Sequence, residues 1–141
     1  MKTRIAVIAA IAMFAVHFAA ATEPARKFNT EEKLILFASK NLYSALHSEN
    51  AGVIVSALRI TALLKMRYPG ADVSSLVETI DEIRTSHPSG TMRYKAYVVL
   101  SVCENPEWYS NEHAIVTAND ESFFRATSER LQKQLLSENT R

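Results

Sequence analysis

Apolar residues recur at three- and four-residue spacing along most of this chain, which is the pattern of amphipathic α-helices. The first helix is predicted to begin near Asn29, where Glu32 three positions later completes a capping box. Leu36 and Tyr43 form an apolar strip outside its main apolar face, so we expect another element to cover them. The main apolar face of this helix consists of Leu34, Ile35, Ala38, Leu42, Ala45 and Leu46.

Three more helices are predicted before the C-terminal third of the chain. The second runs from about Asn50 to Arg67 and is apolar almost all round, which indicates a place in the middle of a bundle. The third, capped by Asp72, has one apolar side and one acidic side, which is typical of an outer helix. The fourth begins after the turn at residues 88–90 and ends at residues 105–106, where a proline stops it.

The apolar positions of the first two helices recur in the next two. Val73 lies 38 positions after Ile35, and Val99 lies 39 positions after Ile60. Both offsets are close to the period of about 40 residues that helix-pair solenoids show. Residues 29–105 therefore resemble two HEAT-type or armadillo-type repeats. This resemblance implies an all-α fold of two antiparallel helix pairs, each with an outer and an inner helix.

Parts of the same region are similar to small exported bacterial proteins of unknown function. The similarity is carried by residues 48–53 (SENAGV), residues 65–69 (KMRYP) and residues 92–97 (MRYKAY). It implies export but no particular activity.

The C-terminal segment, residues 106–141, is predicted to complete the fold. Two repeats are fewer than the three or so that normally stabilise a solenoid, so an additional element must cap the stack. A last helix beginning at Asp120 has an apolar stripe that suits this role. We expect it to fold back over Leu36 and Tyr43, with Trp108 anchoring the connection.

The N-terminus has the three-part layout of a secretory signal peptide. Residues 1–4 are basic, residues 5–20 are apolar except for one histidine, and Ala19-Ala20-Ala21 offers small residues for cleavage. We predict cleavage after Ala21, a single mature domain of residues 22–141, and a periplasmic or secreted location without stable membrane insertion. The alternative is an uncleaved anchor, for which the apolar run is short.

Charge and cysteine content narrow the range of partners. The chain has 16 basic and 15 acidic residues, and loss of Lys2 and Arg4 with the signal leaves 14 basic residues and a net charge of −1. A chain so near neutrality has no general attraction to nucleic acid, so a protein partner is expected. Cys103 is the only cysteine, so no intramolecular disulfide can form. Its apolar neighbours predict a core position, with a reactive thiol or an intermolecular bridge as alternatives.

The chain carries no recognisable catalytic motif. It has no nucleophile-elbow or phosphate-loop sequence, and its three glycines leave little material for one. His47, His87 and His113 are scattered along the chain without metal-site spacing. We therefore predict no catalytic residue, no metal ion and no cofactor.

The candidate binding residues are basic and aromatic. Arg93 and Tyr97 share one face of the fourth helix, and Arg67 is expected at the corresponding end of the earlier helix pair. One interpretation is a stacking and cationic surface for an acidic peptide, a phosphate or a base. In the other, the rings fill gaps between helices and Arg93 binds carbonyls or an outer carboxylate such as Asp81. The candidate set is Arg67, Tyr68, Arg93, Tyr94, Tyr97 and Trp108.

These predictions leave two classes of function. The first is an exported, non-catalytic helical-repeat protein that serves as an interaction or scaffold module of the bacterial cell envelope. The second is a small-ligand-binding protein or an enzyme with a cleft near Arg93, Tyr94, Tyr97 and Trp108. A shallow, exposed apolar groove would favour the first class. A pocket with convergent polar side chains would favour the second.

Overall fold

A computed structural model of the chain describes residues 31–109 and 119–139, and these residues are all-α, without a strand. The all-α prediction is confirmed. The predicted signal peptide, Asn29, His113 and the connection at 110–118 lie outside the described residues. The elements are α1 (Glu31–Leu46), α2 (Ala51–Arg67), α3 (Ser74–Ser86), α4 (Gly90–Glu104), a 3₁₀ helix (Pro106–Tyr109) and α5 (Asp120–Glu138).

Polar side chains begin α2 and α4 at the predicted positions. The Asn50 side chain accepts hydrogen bonds from the backbone N–H groups of Gly52 and Val53, at 2.9 and 3.4 Å. Ser89 Oγ accepts the backbone N–H of Met92 at 3.3 Å. Because the first N–H groups of a helix have no partner inside it, these bonds fix where α2 and α4 start.

The start of α3 differs from the prediction by one residue. Asp72 is not the N-cap of α3, since that position is held by Val73, which makes no side-chain capping bond. Instead, Asp72 Oδ1 accepts both the backbone N–H and the hydroxyl of Ser74, at 3.0 and 2.6 Å. These hydrogen bonds lower the pKa of the Asp72 carboxyl. A short acidic side chain that bonds two residues ahead stabilises a turn, so it precedes the helix here.

The described helices pack around α2 and α4. α1 packs on α2 and α3, α3 packs on α4, and α2 packs on α4. α2 is buried on several sides, as its nearly continuous apolar surface predicts, because α1, α4 and α5 all contact it. None of the described helices combines the length and the hydropathy needed to cross a membrane. The buried residues of α2 are Ile54, Ala57, Leu58, Ile60, Thr61, Ala62 and Leu64.

The C-terminal helix covers a different face from the predicted one. α5 packs against α2 and α4, whereas Leu36 and Tyr43 on α1 stay 59% and 45% exposed. The prediction that α5 covers the Leu36–Tyr43 strip is therefore wrong. The physical reason is that α2 and α4 are apolar on more sides than α1 and α3 can cover. Phe123 and Phe124 of α5 are buried there, at 0% and 5% exposure, which favours this face.

Polar contacts fix the position of α5 along both of its halves. Arg59 Nε donates to Asp120 Oδ1 at 2.5 Å, and Ser56 Oγ donates to Asp120 Oδ2 at 2.8 Å. Further along, Arg130 Nε donates to the backbone carbonyl of Trp108 at 2.8 Å. The 3₁₀ helix is thus joined to α5 through the Trp108 main chain.

Candidate functional site

The predicted site residues lie at both ends of the helix bundle. Arg67 is the last residue of α2 and Tyr68 follows it, and both line a groove together with Ser74 at the start of α3. Arg93 lies at the other end of α3, where its Nη1 donates to the carbonyl of His87. α3 has 13 residues, so its ends are about 20 Å apart. The six residues are not brought together, and the expected correspondence of Arg67 with Arg93 is wrong.

Arg93 satisfies backbone groups at the end of α3. Its Nη1 donates to the carbonyls of His87 and Pro88, at 2.7 and 3.0 Å. Both carbonyls belong to the turn that follows α3, which ends at Ser86, and the guanidinium group supplies them with donors. Asp81 pairs with Arg84 instead, with Nε and Oδ1 2.7 Å apart. In the structure, Arg93 therefore binds backbone carbonyls, as in the second of the two interpretations given above.

Tyr94 and Tyr97 form an exposed aromatic pair on α4. Their ring centroids are 6.4 Å apart, and the residues are 46% and 42% exposed. Lys95, which lies between them in sequence, places its ammonium 5.0 Å from the centre of the Phe124 ring on α5. Trp108 is half-buried against the core. The tyrosine pair is therefore a surface feature and does not fill a gap between helices.

A groove of about 1310 Å³ runs beside α1. One wall is the face of α1 between Glu31 and Ser44, and the other is formed by the turn and the first residues of α3, at 67–75. Leu36 and Tyr43 lie on the α1 wall, so the strip that α5 does not cover borders this space. We refer to it as the α1 groove.

Charges are distributed unevenly along the α1 groove. Glu31 and Glu32 lie in the first turn of α1. Lys40 lies four residues after Leu36 and three before Tyr43, so it stands between these apolar side chains on one helix face. The groove is thus acidic at the N-terminal end of α1 and basic in the middle of its apolar strip.

Tyr68 lies at the acidic end of the α1 groove. Burial raises the pKa of its phenol, the Glu31 carboxylate raises it further, and Arg67 opposes the rise. The phenol is therefore near both an acid of α1 and a base at the end of α2. Lys65 Nζ donates to the backbone carbonyl of Ala71 at 3.0 Å. These contacts hold the turn between α2 and α3 as an ordered wall of the groove.

Leu36 and Tyr43 are absent from the predicted site, although their spacing marks them. Two apolar residues seven positions apart, outside the main apolar face, indicate a second contact surface on α1. The pattern does not specify whether another part of the chain or a partner fills that surface. Arg67 and Tyr68 are the predicted site residues that border the α1 groove.

Two further features bear on catalysis. Within the described residues, no three His, Cys, Asp or Glu side chains are grouped closely enough to hold a metal ion. Cys103 is half-buried, and burial raises the pKa of its thiol to about 11, so it is protonated at neutral pH and a poor nucleophile.

Comparisons with protein-family models, curated proteins and solved structures found no match for this chain.

Proposed function

We propose that the mature chain is an exported, non-catalytic protein that binds a partner protein through the α1 groove. The observation that carries this proposal is the exposure of Leu36 and Tyr43, at 59% and 45%, two helical turns apart along one wall of an open groove. Large apolar side chains that are grouped on a surface usually mark a site of interaction. This is the kind of groove that favours the interaction class over the ligand-binding class.

The packing of the helices supports an arrangement of two HEAT-like pairs with α5 as the cap. α1 with α2 and α3 with α4 form the pairs, and α2 contacts α4 as α1 contacts α3. The caps Asn50 and Ser89 are 39 positions apart, which matches the offset of the apolar positions. In such a stack, α1 belongs to a terminal pair, and its outer strip is where a further repeat or a partner would pack.

The proposed location depends on residues 1–21 and their signal-peptide layout. The protein would act in the periplasm or outside a bacterial cell, as a module of the envelope. Intact mass measurement of the protein recovered from periplasm or medium tests this location. We expect a mature chain that begins at Thr22, and retention of residues 1–21 would contradict cleavage.

A second candidate function is the binding of a small planar ligand at the Tyr94–Tyr97 pair. Two exposed rings with centroids 6.4 Å apart favour stacking of a planar group. Arg93 would have to give up its two carbonyl hydrogen bonds to add a positive charge there. The α1 groove makes no such demand, so we place it first.

Site-specific photo-crosslinking in the producing cell tests the proposed groove. A photo-reactive amino acid is placed at Leu36 or at Tyr43 of the full chain, and the matched control is placed at Leu136. Leu136 is 68% exposed on α5 and is absent from the groove. We expect the same discrete adduct with another polypeptide from both groove positions and none from the control.

The outcomes of this experiment are separable. No adduct from Leu36 and Tyr43, or equal adducts from Leu136, would overturn the groove as the interaction site. An adduct that forms from Tyr94 but not from the groove would move the interaction to the tyrosine pair. Replacement of Tyr43 by Ser should weaken the adduct formed at Leu36, because it removes one of the two apolar contacts.

A further inference from the structure

The exposed strip of α1 has an alternating chemical order. Glu32, Leu36, Lys40 and Tyr43 are spaced by four, four and three residues, so they share one helix face. Along about 17 Å of helix, the residues of the strip are acidic, apolar, basic and apolar in turn. Within residues 31–109 and 119–139, neither Glu32 nor Lys40 forms an ion pair. Neither charge is therefore compensated by an ion pair from the described residues.

From this order we infer that the α1 groove binds an amphipathic helix of a partner protein that carries the complementary charge pattern. The helix has an acidic side chain between two apolar anchors and a basic side chain about one turn beyond them. This inference rests on the proposed function of the groove. Antiparallel to α1, such a helix sets its apolar anchors against Leu36 and Tyr43, its acid against Lys40 and its base against Glu32.

The backbone of the groove favours a helix over an extended peptide. Between Leu36 and Tyr43 the α1 wall is regular helix, so its N–H and C=O groups there are already hydrogen-bonded within the chain. An extended peptide would bring unpaired backbone groups against this wall, where no backbone donor or acceptor is free to bind them. A helix satisfies its own backbone and presents side chains at three- and four-residue spacing, which matches the strip.

Lys40 decides the charge of the partner. Lys40 lies between Leu36 and Tyr43 on the α1 wall, so a partner that covers these two residues also covers Lys40. Burial of an unpaired charge is costly, whereas an opposing carboxylate compensates for it. Glu32 at the end of the strip favours a basic residue there for the same reason.

The same residue disfavours a second copy of this chain as the occupant. In a two-fold symmetric contact between antiparallel α1 helices, Leu36 of each copy would meet Tyr43 of the other. The axis would then pass between residues 39 and 40, which brings the two Lys40 ammonium groups close together. Like charges at the centre of an interface oppose association.

Binding of two designed peptides to the full mature chain tests the inference. Both peptides are soluble, fluorescently labelled helices of about 18 residues, with leucines as the two anchors. In the matched peptide, Glu lies between the anchors and Lys lies one turn beyond; in the reversed peptide, these charges are exchanged. Both peptides are also tested on a double variant that carries E32K and K40E in one chain. Both residues are exposed, so the fold should persist in this variant.

Fluorescence anisotropy titrations at physiological salt measure both peptides on both proteins. We expect the wild-type chain to bind the matched peptide about tenfold more tightly than the reversed one. The E32K/K40E chain should show the opposite preference.

Equal binding of the two peptides, or no binding of either, would overturn the inference. If the crosslinks at Leu36 and Tyr43 still form, the proposed function survives that failure. A concentration-dependent dimer that is lost on replacing Leu36 by Ser would instead identify a second copy as the occupant and overturn the inference.

Discussion

Arg59 on α2 and Asp120 in the first turn of α5 form an ion pair, with Nε 2.5 Å from Oδ1. Ser56 donates its hydroxyl to the other carboxylate oxygen at 2.8 Å. The Arg59 and Asp120 side chains are 24% and 33% exposed, so solvent screens this pair less than a pair at the open surface. One carboxylate thus connects the start of the C-terminal helix to α2 through two bonds.

Replacement of Asp120 by Ala should loosen α5. We expect a loss of about 1 kcal/mol in the free energy of unfolding, because a partly shielded ion pair and a hydrogen bond are both removed. Faster amide hydrogen exchange in α5 than in α3 should accompany it. The matched control is Asp81→Ala, which removes an exposed pair with Arg84 and should cost about 0.5 kcal/mol or less. Equal losses in the two variants would contradict the role of Asp120.

Removal of the C-terminal segment should have a much larger effect. Truncation after Asn105 deletes Phe123 and Phe124, whose rings pack edge-to-face at 5.2 Å between centroids, and uncovers the apolar face of α2 and α4. We expect a fragment that is poorly folded or self-associating, since each buried aromatic contributes about 1.5–3 kcal/mol. Thermal melting and analytical ultracentrifugation measure this. A monomeric fragment that melts as cooperatively as the mature chain would refute the capping role of α5.

A buried hydrogen bond joins the 3₁₀ helix to α4. Ser101 Oγ donates to the carbonyl of Val98 at 2.7 Å, so the Tyr109 hydroxyl, 2.8 Å away, donates to Ser101. Tyr109→Phe should lower the free energy of unfolding in urea by about 1 kcal/mol, because it removes one buried bond. Tyr97→Phe is the control, since Tyr97 is 42% exposed, and it should leave stability unchanged. Stability that is unchanged in both variants would show that the bond contributes nothing.

The starts of α2 and α4 were predictable because their signals are local. Asn50 and Ser89 each bond N–H groups within the next three residues, so a short window of sequence contains the information. The position of α5 depends on long-range packing. Its apolar stripe suits both the Leu36–Tyr43 strip and the face of α2 and α4, and periodicity does not choose between them. The face on which α5 packs is decided by which of the two apolar faces is broader, and that is known only once the helices are packed together.

The candidate site was less predictable for a related reason. Arg67-Tyr68 and Arg93-Tyr94 are the same pair of residue types, but one lies at the C-terminal end of α2 and the other lies near the N-terminal end of α4. Arg67 is beside the start of α3 and Arg93 binds carbonyls that follow its end, so these dipeptides fall at opposite ends of the bundle. Similar composition therefore did not mean a shared surface.

The substitution Cys103→Ala tests the packing role of the single cysteine. Cys103 is half-buried and packs against the core, so loss of its sulfur should cost about 1 kcal/mol in the free energy of unfolding. We expect the variant to have the same oligomeric state as the wild type in sedimentation experiments. Loss of a dimer on this substitution would instead reveal a bridge between chains.

Burial of the Cys103 thiol should also affect its reactivity and the pH dependence of stability. Burial raises its pKa from 9.0 to about 11, so at pH 8 the folded chain has about 100-fold less thiolate than a thiol with the ordinary value. Alkylation by iodoacetamide should be correspondingly slow, and urea should accelerate it.

The thiol ionises at a lower pH in the unfolded chain than in the folded chain. The stability that the buried, protonated thiol contributes is therefore complete below about pH 9 and is lost as the pH rises through about 11. Urea unfolding between pH 8 and 11 should therefore show a smaller alkaline loss in Cys103→Ala than in the wild type. Equal losses, or rapid alkylation of the folded chain at pH 8, would show that the thiol is not shielded.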